Sequence, residues 1–279
     1  MNKLLRLLLA LAVLASAATR AAETVTWIIY DAPPQYIFEG PLMGQGYKDI
    51  QLAWLTAHLP QFEHRVVKGS VSRLWYEIGH RDGVCTLGML PNKEREDAAA
   101  LASRPVLIPG FHLAVAIDRT FKFAPFLDAQ GEVDLGLLAG SRRLKGGAVA
   151  GRVHAKAIED FLGRTDRASP LEPIVSPLQL YSLVKKGRID YTFGSPHEIR
   201  YFAKILADNE VFAALPIRGV PRLVKTYLSC SKQPVGEAVI AAADSVLSDD
   251  AQWAAFLTPL RSWMSSQDMT AALAIQPAR

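Results

Sequence analysis

The feature that most constrains this chain is an alternation of β-rich and helical stretches that runs through it twice. "TVTWIIY" (Thr24–Tyr30) is a β-branched and aromatic run ending at Asp31 and two prolines, which predicts a strand feeding a loop. In "YKDIQLAWLTAHL" (Tyr47–Leu59), Ile50, Leu52, Leu55 and Leu59 recur at helical spacing. "FEHRVVK" predicts a second strand, and "SVSRLWYEIGH" a second helix with Ser70 or Ser72 as its cap. "GVCTLGM" is a mostly apolar third strand, the kind buried on both faces of a parallel sheet. The order βαβαβ predicts an open α/β sheet.

The same grammar then recurs. "FHLAVAI", "GGAVAG", "EPIV" and "RIDYTFGSP" read as strands, separated by helices at "HAKAIEDFLG" and "SPLQLYSLVKKG" and followed by one at "HEIRYFAKILAD". "VKTYLSCSK" (Val224–Lys232) adds a strand, and helices around Pro234–Leu247 and Asp250–Met264 follow. Ser266–Arg279 is expected to be a loose tail. Two α/β units without a flexible linker predict two lobes that share crossing strands. The gap between the lobes, outside the carboxyl ends of the strands, is where such sheets bind ligands.

The N-terminus reads differently. "MNKLLRLLLALAVLASAATRAAE" carries Lys3 and Arg6, then an apolar run from Leu7 to Ala15, then small residues. This pattern predicts a cleaved secretory signal peptide, residues 1–21, with cleavage after Ala21. Its apolar run is too short for a permanent anchor, and no later stretch approaches the ~20 residues of a transmembrane helix. Losing Lys3, Arg6 and Arg20 takes the formal charge from +4 to +1, so the basic pI says little about partners. No basic stripe with interleaved aromatics argues for nucleic acid. Two cysteines, Cys85 and Cys230, allow one disulfide or two free thiols in an exported chain. The six histidines are scattered, with no HxxxH pair, no Cys/His metal spacing, no GxSxG elbow and no P-loop. Neither a metal, a cofactor nor an enzymatic activity is therefore expected.

Several segments, in order, resemble the extracellular solute-binding protein family 3, the type II periplasmic binding proteins that include polar amino-acid receptors. "IIYDAPPQYIFEGPLMGQGYKDIQLAWL" is similar to the family opening, and "LWYEIGHRDGVCTLGMLPNKERED" to its helix, strand, glycine and Glu-Arg pair. "LKGGAVAG" and "LQLYSLVKKGRIDYTFGSPHEIRYF" resemble its second-lobe segments. The resemblance runs from about Val25 to Met264. It implies a two-lobed α/β fold with a ligand cleft: lobe 1 from 22–109 plus 227–264, lobe 2 from 110–226, and a tail at 265–279. It also implies hinge closure around a small molecule and delivery to a membrane permease of the ABC type, by a periplasmic protein expected to be a monomer.

The site follows from the same resemblance. On the residues alone, Arg95 reads as a solvated charge in the first turn of a helix. In the family, the arginine of that Glu-Arg pair grips the ligand carboxylate, and guanidinium geometry suits the task. The family's lobe 2 aspartate, which takes an α-ammonium, is replaced here by Ser195. An unpaired buried ammonium costs several kcal/mol, and a serine hydroxyl returns only about 0.5–1.5 kcal/mol. The resemblance with this departure implies a small polar solute, an anion or else a neutral molecule, rather than an ordinary α-amino acid; the anion is the reading taken forward. Glu198, one helical turn on, is expected to point away. Asp31 and Tyr36 in the first loop, Trp75 on a helix, and Arg152 and His154 before a lobe 2 helix complete the candidate ligand set. For Trp75 the helix pattern favours a core position, and for Arg152 and His154 it equally allows a solvent-facing helix start. In the implied fold the strand after the second crossing lies antiparallel to the third strand of lobe 1, which implies a Cys85–Cys230 bridge. The other readings are a sensor whose closed form a membrane receptor recognises and, with less support, a periplasmic hydrolase.

Overall fold

The computed structural model describes residues 22–276 except 151, 167, 169–170, 175 and 207–210; the leader expected at 1–21 lies outside them. Strands β1 (Glu23–Ile29), β2 (Phe62–Lys68), β3 (Val84–Met89), β4 (Ala99–Leu101) and β5 (Val106–Pro109) belong to one sheet. Strands β6 (His112–Ala116), β7 (Gly146–Val149), β8 (Leu171–Ile174), β9 (Tyr191–Gly194) and β10 (Phe212–Leu215) form a second. The last strand, β11 (Leu223–Ser231), returns to the first sheet, where the order is β2-β1-β3-β11-β4 with β5 also paired to β11. The second sheet runs β10-β6-β9-β7-β8. Each sheet thus has parallel strands at one side (β2, β1, β3; β8, β7, β9) and antiparallel additions at the other. The result is a mixed α/β fold of two lobes.

The chain crosses between the sheets twice, after β5 and before β11, and the two crossings lie side by side. The Gly110 N–H donates to the Arg222 carbonyl at 2.8 Å, and β5 pairs with β11 from Val106 to Pro109. Residue 110 must be glycine for this approach, because a Cβ there would stand 2.0 Å from the Pro221 carbonyl oxygen. In β11, Cys230 opposes Cys85 of β3, and the two are disulfide-bonded, as the resemblance implies.

Lobe 1 buries Trp27, Leu55, Leu59 and Trp253 around its sheet. Lobe 2 buries Leu113, Phe123, Ile158 and Phe193 in one cluster, and Leu180, Tyr181 and Phe202 in another. Ile37, from the loop after β1, belongs to that last cluster, and Trp263 packs on Tyr201 with ring centroids 6.3 Å apart, so the lobes touch directly. In the helix Tyr47–Ala57 the buried face carries Lys48, Gln51, Leu52 and Leu55; Ile50, counted with the apolar stripe in the sequence, is exposed.

The described part of the expected tail is not loose. Ser266–Leu273 is a helix, with the Ser265 Oγ accepting the Asp268 N–H at 3.1 Å. Met269 and Ala272 join the lobe 1 core, the Trp253 indole donates to the Ala272 carbonyl at 3.4 Å, and Arg104 donates to the Ile275 carbonyl at 2.8 Å. Two apolar residues three apart suffice here because the core supplies the rest of the contact.

Candidate ligand-binding cleft

A cleft of about 250 Å³ lies between the lobes. Its walls are built from residues at or just past the carboxyl ends of strands: Tyr30 after β1, Gly69 after β2, Leu90 after β3, Ala150 after β7 and Ser195 after β9. This is the position at which open α/β sheets bind ligands. Of the residues singled out in the sequence, Asp31, Arg95, Arg152 and Ser195 line this cleft; Tyr36, Trp75 and His154 do not.

Arg95 lies in the short helix Lys93–Ala98. Asn92 caps that helix, its Oδ1 accepting the Arg95 N–H at 2.9 Å. The guanidinium lies over the Trp75 ring, 4.4 Å from its centroid, and Nη1 donates to the Leu90 carbonyl at 3.4 Å. It is half-buried, and among the described residues no carboxylate is paired with it. Burial lowers its pKa, opposed by Tyr30, Glu159 and Glu94, and an arginine stays charged under that influence. Trp75 is thus the shelf under Arg95 rather than a wall of the cleft. It faces an outer depression of about 500 Å³ together with Tyr76 and His80.

Arg152 presents a contrasting picture. Its Nη1 and Nη2 donate to the two carboxylate oxygens of Glu198 at 2.8 and 2.6 Å, a bidentate pair, and its Cζ lies 4.9 Å from the Phe111 ring centroid. Burial alone would lower the Arg152 pKa, but Glu198 more than offsets this and the guanidinium titrates above its ordinary value. Glu198 is 3% exposed. Contrary to the sequence reading it points inward, because the start of the helix Pro196–Ile205 aims its first turn at Arg152.

His154 is not the cation the sequence reading placed here. The turn after Arg152 drives its ring between Phe111 and Phe193, with centroids 4.8 and 5.9 Å away. Burial lowers its pKa, even though the Glu159 carboxylate lies 3.1 Å from Nδ1. Tyr36 is likewise a core residue, 0% exposed, and it is the preceding Gln35 that reaches the cleft. Ser195 is the N-cap residue of the helix Pro196–Ile205, and its hydroxyl shares a hydrogen bond of 3.1 Å with His197 Nε2. Burial, with Arg152, Lys48 and Arg200 adding to it, pushes His197 down to about 3, so the ring is neutral. His197 also meets Tyr47 of lobe 1 edge-on, ring centroids 5.8 Å apart.

The residues the sequence pattern leaves out are Lys48 and His197; Glu198 is expected there to point away, and Gln35 shares the candidate first loop with Asp31 and Tyr36. Lys48 stands at the helical spacing of Gln51, Leu52 and Leu55, a signal available to a pattern that counts polar residues on an apolar face. No group of three or more metal-ligating side chains occurs among the described residues, and no helix there is long and apolar enough to cross a membrane.

No protein-family model matches the chain, and no curated protein matches it in sequence. Solved structures match it in fold. One, from work on glutathione import by GshT and the cystine ABC importer TcyBC of Streptococcus mutans, has a TM-score of 0.66 at 11% identity, covering 89% of this chain and 100% of that one. EhuB in complex with hydroxyectoine has a TM-score of 0.65 at 16% identity, over 90% and 92% of the two chains. The ancestral amino acid-binding protein AncCDT-1, described as a precursor of cyclohexadienyl dehydratase, has 0.60 at 15% identity, over 87% and 95%. At these identities the likeness is one of fold, and the fold is that of the two-lobed, type II substrate-binding proteins of amino-acid ABC transporters.

Proposed function

We propose that this chain is an exported solute-binding protein of the family 3 type, which captures a small polar, anionic solute and presents it to an ABC-type membrane permease. Lobe 1 is 22–109 plus 227–264, with the helix Ser266–Leu273 packed on it, lobe 2 is 110–226, and they close over the solute about the paired crossings at β5 and β11. The carrying observation is Arg95: a half-buried guanidinium at the wall of an interlobe cleft, resting on Trp75 and donating to the Leu90 carbonyl, with no protein carboxylate paired to it among the described residues. A buried cation without a counter-charge favours an anionic ligand that supplies one. Asp31 and Ser195 complete the contacts to the solute, and Arg152 shapes the opposite wall.

Fold alone does not separate binding from catalysis, and AncCDT-1 stands at the root of an enzyme. The acid–base groups nearest Ser195 argue for binding: His197 is held neutral down to about 3, and Glu198 is occupied by Arg152. A thermal-shift screen of the mature protein against amino acids, organic acids, sugars and peptides tests the reading. A ligand that binds only the folded form raises the melting temperature. The expected hit is a carboxylate whose effect disappears in Arg95→Ala. A carboxylate that stabilises both proteins equally, or turnover of the hit detected by mass spectrometry, sinks it.

A further inference from the structure

Behind the lobe 1 wall of the cleft lies a charge that the site described above leaves unused. Lys48, in the first turn of the helix Tyr47–Ala57, is 2% exposed. Its Nζ donates to Oε1 of Gln35, and no carboxylate is paired with it among the described residues. It fits because residue 88 is glycine. That residue has φ +80, and a Cβ on it would stand 1.9 Å from Nζ. Gln35 and Gly88 both line the cleft, so Lys48 lies directly behind its floor.

This contact decides which end of the Gln35 amide the cleft receives. An ammonium only donates, so it takes the amide oxygen, and the amide NH₂ is left with two donors and no acceptor to offer. The other groups facing the lysine add no negative charge. The Tyr36 ring centroid is 5.9 Å from Nζ, and from lobe 2 the charge acting on the ammonium is that of Arg152, the His197 ring being neutral. Burial, with Arg152 adding to it, pushes Lys48 down to about 7. An anion beside Gln35 would supply the missing counter-charge and keep the ammonium protonated.

From this juxtaposition we propose that Gln35, held by Lys48, is a second acceptor-binding subsite on the cleft floor, so that the solute is a short dicarboxylate with one end on Arg95 and the other on the Gln35 amide. Gln35 touches the solute; Lys48 is a positioning residue. The proposal rests on the reading of the cleft as a solute site and names the class of solute it takes.

Three probes of equal chain length test it by calorimetric titration: glutarate, pentanoate and 5-aminopentanoate. Glutarate is expected to bind about tenfold or more tighter than pentanoate, with 5-aminopentanoate weakest because its ammonium meets donors. Lys48→Met should cost glutarate about tenfold and leave pentanoate within about twofold, a split that general loss of packing would not produce. In a Gln35→Ala background the same change should have no further effect on glutarate. Gln35→Glu, which keeps Lys48 paired, should put 5-aminopentanoate ahead of glutarate and serves if Lys48→Met does not fold. Equal affinities for glutarate and pentanoate, or a Lys48→Met loss shared by both, overturns the subsite while an intact dependence on Arg95 preserves the cleft reading. Failure of all three to bind, or binding unchanged in Arg95→Ala, overturns that reading and the subsite with it.

Discussion

The two walls of the cleft treat their cations in opposite ways. On the lobe 2 side, Arg152 is locked to Glu198 by two hydrogen bonds and backed by Phe111. On the lobe 1 side, Arg95 and Lys48 have no carboxylate partner among the described residues, and Lys48 has only the neutral amide of Gln35. A charge neutralised from within the protein shapes a surface; a charge left without a partner waits for one. The same asymmetry appears in construction. Lobe 1 is assembled from both ends of the chain and fastened by Cys85–Cys230, whereas the lobe 2 strands, β6 to β10, are consecutive.

The comparison can be broken at its strongest point first. Replacing Cys85 and Cys230 together by alanine opens a loop with a sequence separation of 145. Chain entropy puts the loss near 5 kcal/mol, to be read from urea denaturation with and without reductant on the parent protein; a loss under about 1 kcal/mol would mean the bridge does not hold lobe 1. Next comes Glu198→Ala, which leaves Arg152 buried without a partner and should cost about 3–5 kcal/mol. Near-neutral behaviour in the same assay would show that Arg152 escapes to solvent and that the lobe 2 wall is not preset.

Lys48→Met should move stability the other way, and with a definite pH dependence. The folded-state pKa of Lys48, about 7, lies below its unfolded value of 10.5, so the unfolded chain binds more protons between them. Stability of the parent protein therefore gains from this group as pH rises through that window, and its cost is fully present below pH 7. The variant without ligand should melt higher than the parent at pH 6, with the gain shrinking towards pH 10. A constant difference across that range would mean the ammonium is already compensated. The smallest effect is expected from Arg95→Ala, which removes a half-exposed stacking contact worth about 0.5–1 kcal/mol. A much larger loss of ligand-free stability would recast Arg95 as a structural residue of lobe 1.

Much of this is legible in the sequence alone. Strand and helix alternation marks the parallel strands of both sheets and β11, because the period of 2 against 3.6 survives in the apolar residues, whereas the short strands β4, β5 and β10 carry too few residues to show it. Arg95 was reached through the order of segments around it, not through its own neighbours, which read as a solvated charge run. The failures are local. Of the first-loop residues Tyr36 turns into the core and Gln35 into the cleft, because a loop has no periodicity to say which of two adjacent side chains faces the core. Lys48 escaped notice because apolar patterns ignore the polar residue that shares their face, and Ile50 was counted in its place. Glu198 was sent outward by its spacing from Ser195, whereas the direction of a first-turn side chain is set by the partner it meets, here Arg152. His154 carried a cationic expectation that two aromatic rings abolish.

The place of β11 in the first sheet sets an order of assembly. It lies between β3 and β4, and β5 pairs with it as well, so three earlier strands wait for a segment made late in the chain. A nascent chain that has not reached Leu223 can close the backbone bonds of its second sheet, yet it carries β3 with one open edge and β4 with no partner strand. Open edges of this kind invite pairing with other chains. The molecule is therefore at its most adhesive just before it is finished, and the arrival of a single strand ends that vulnerability.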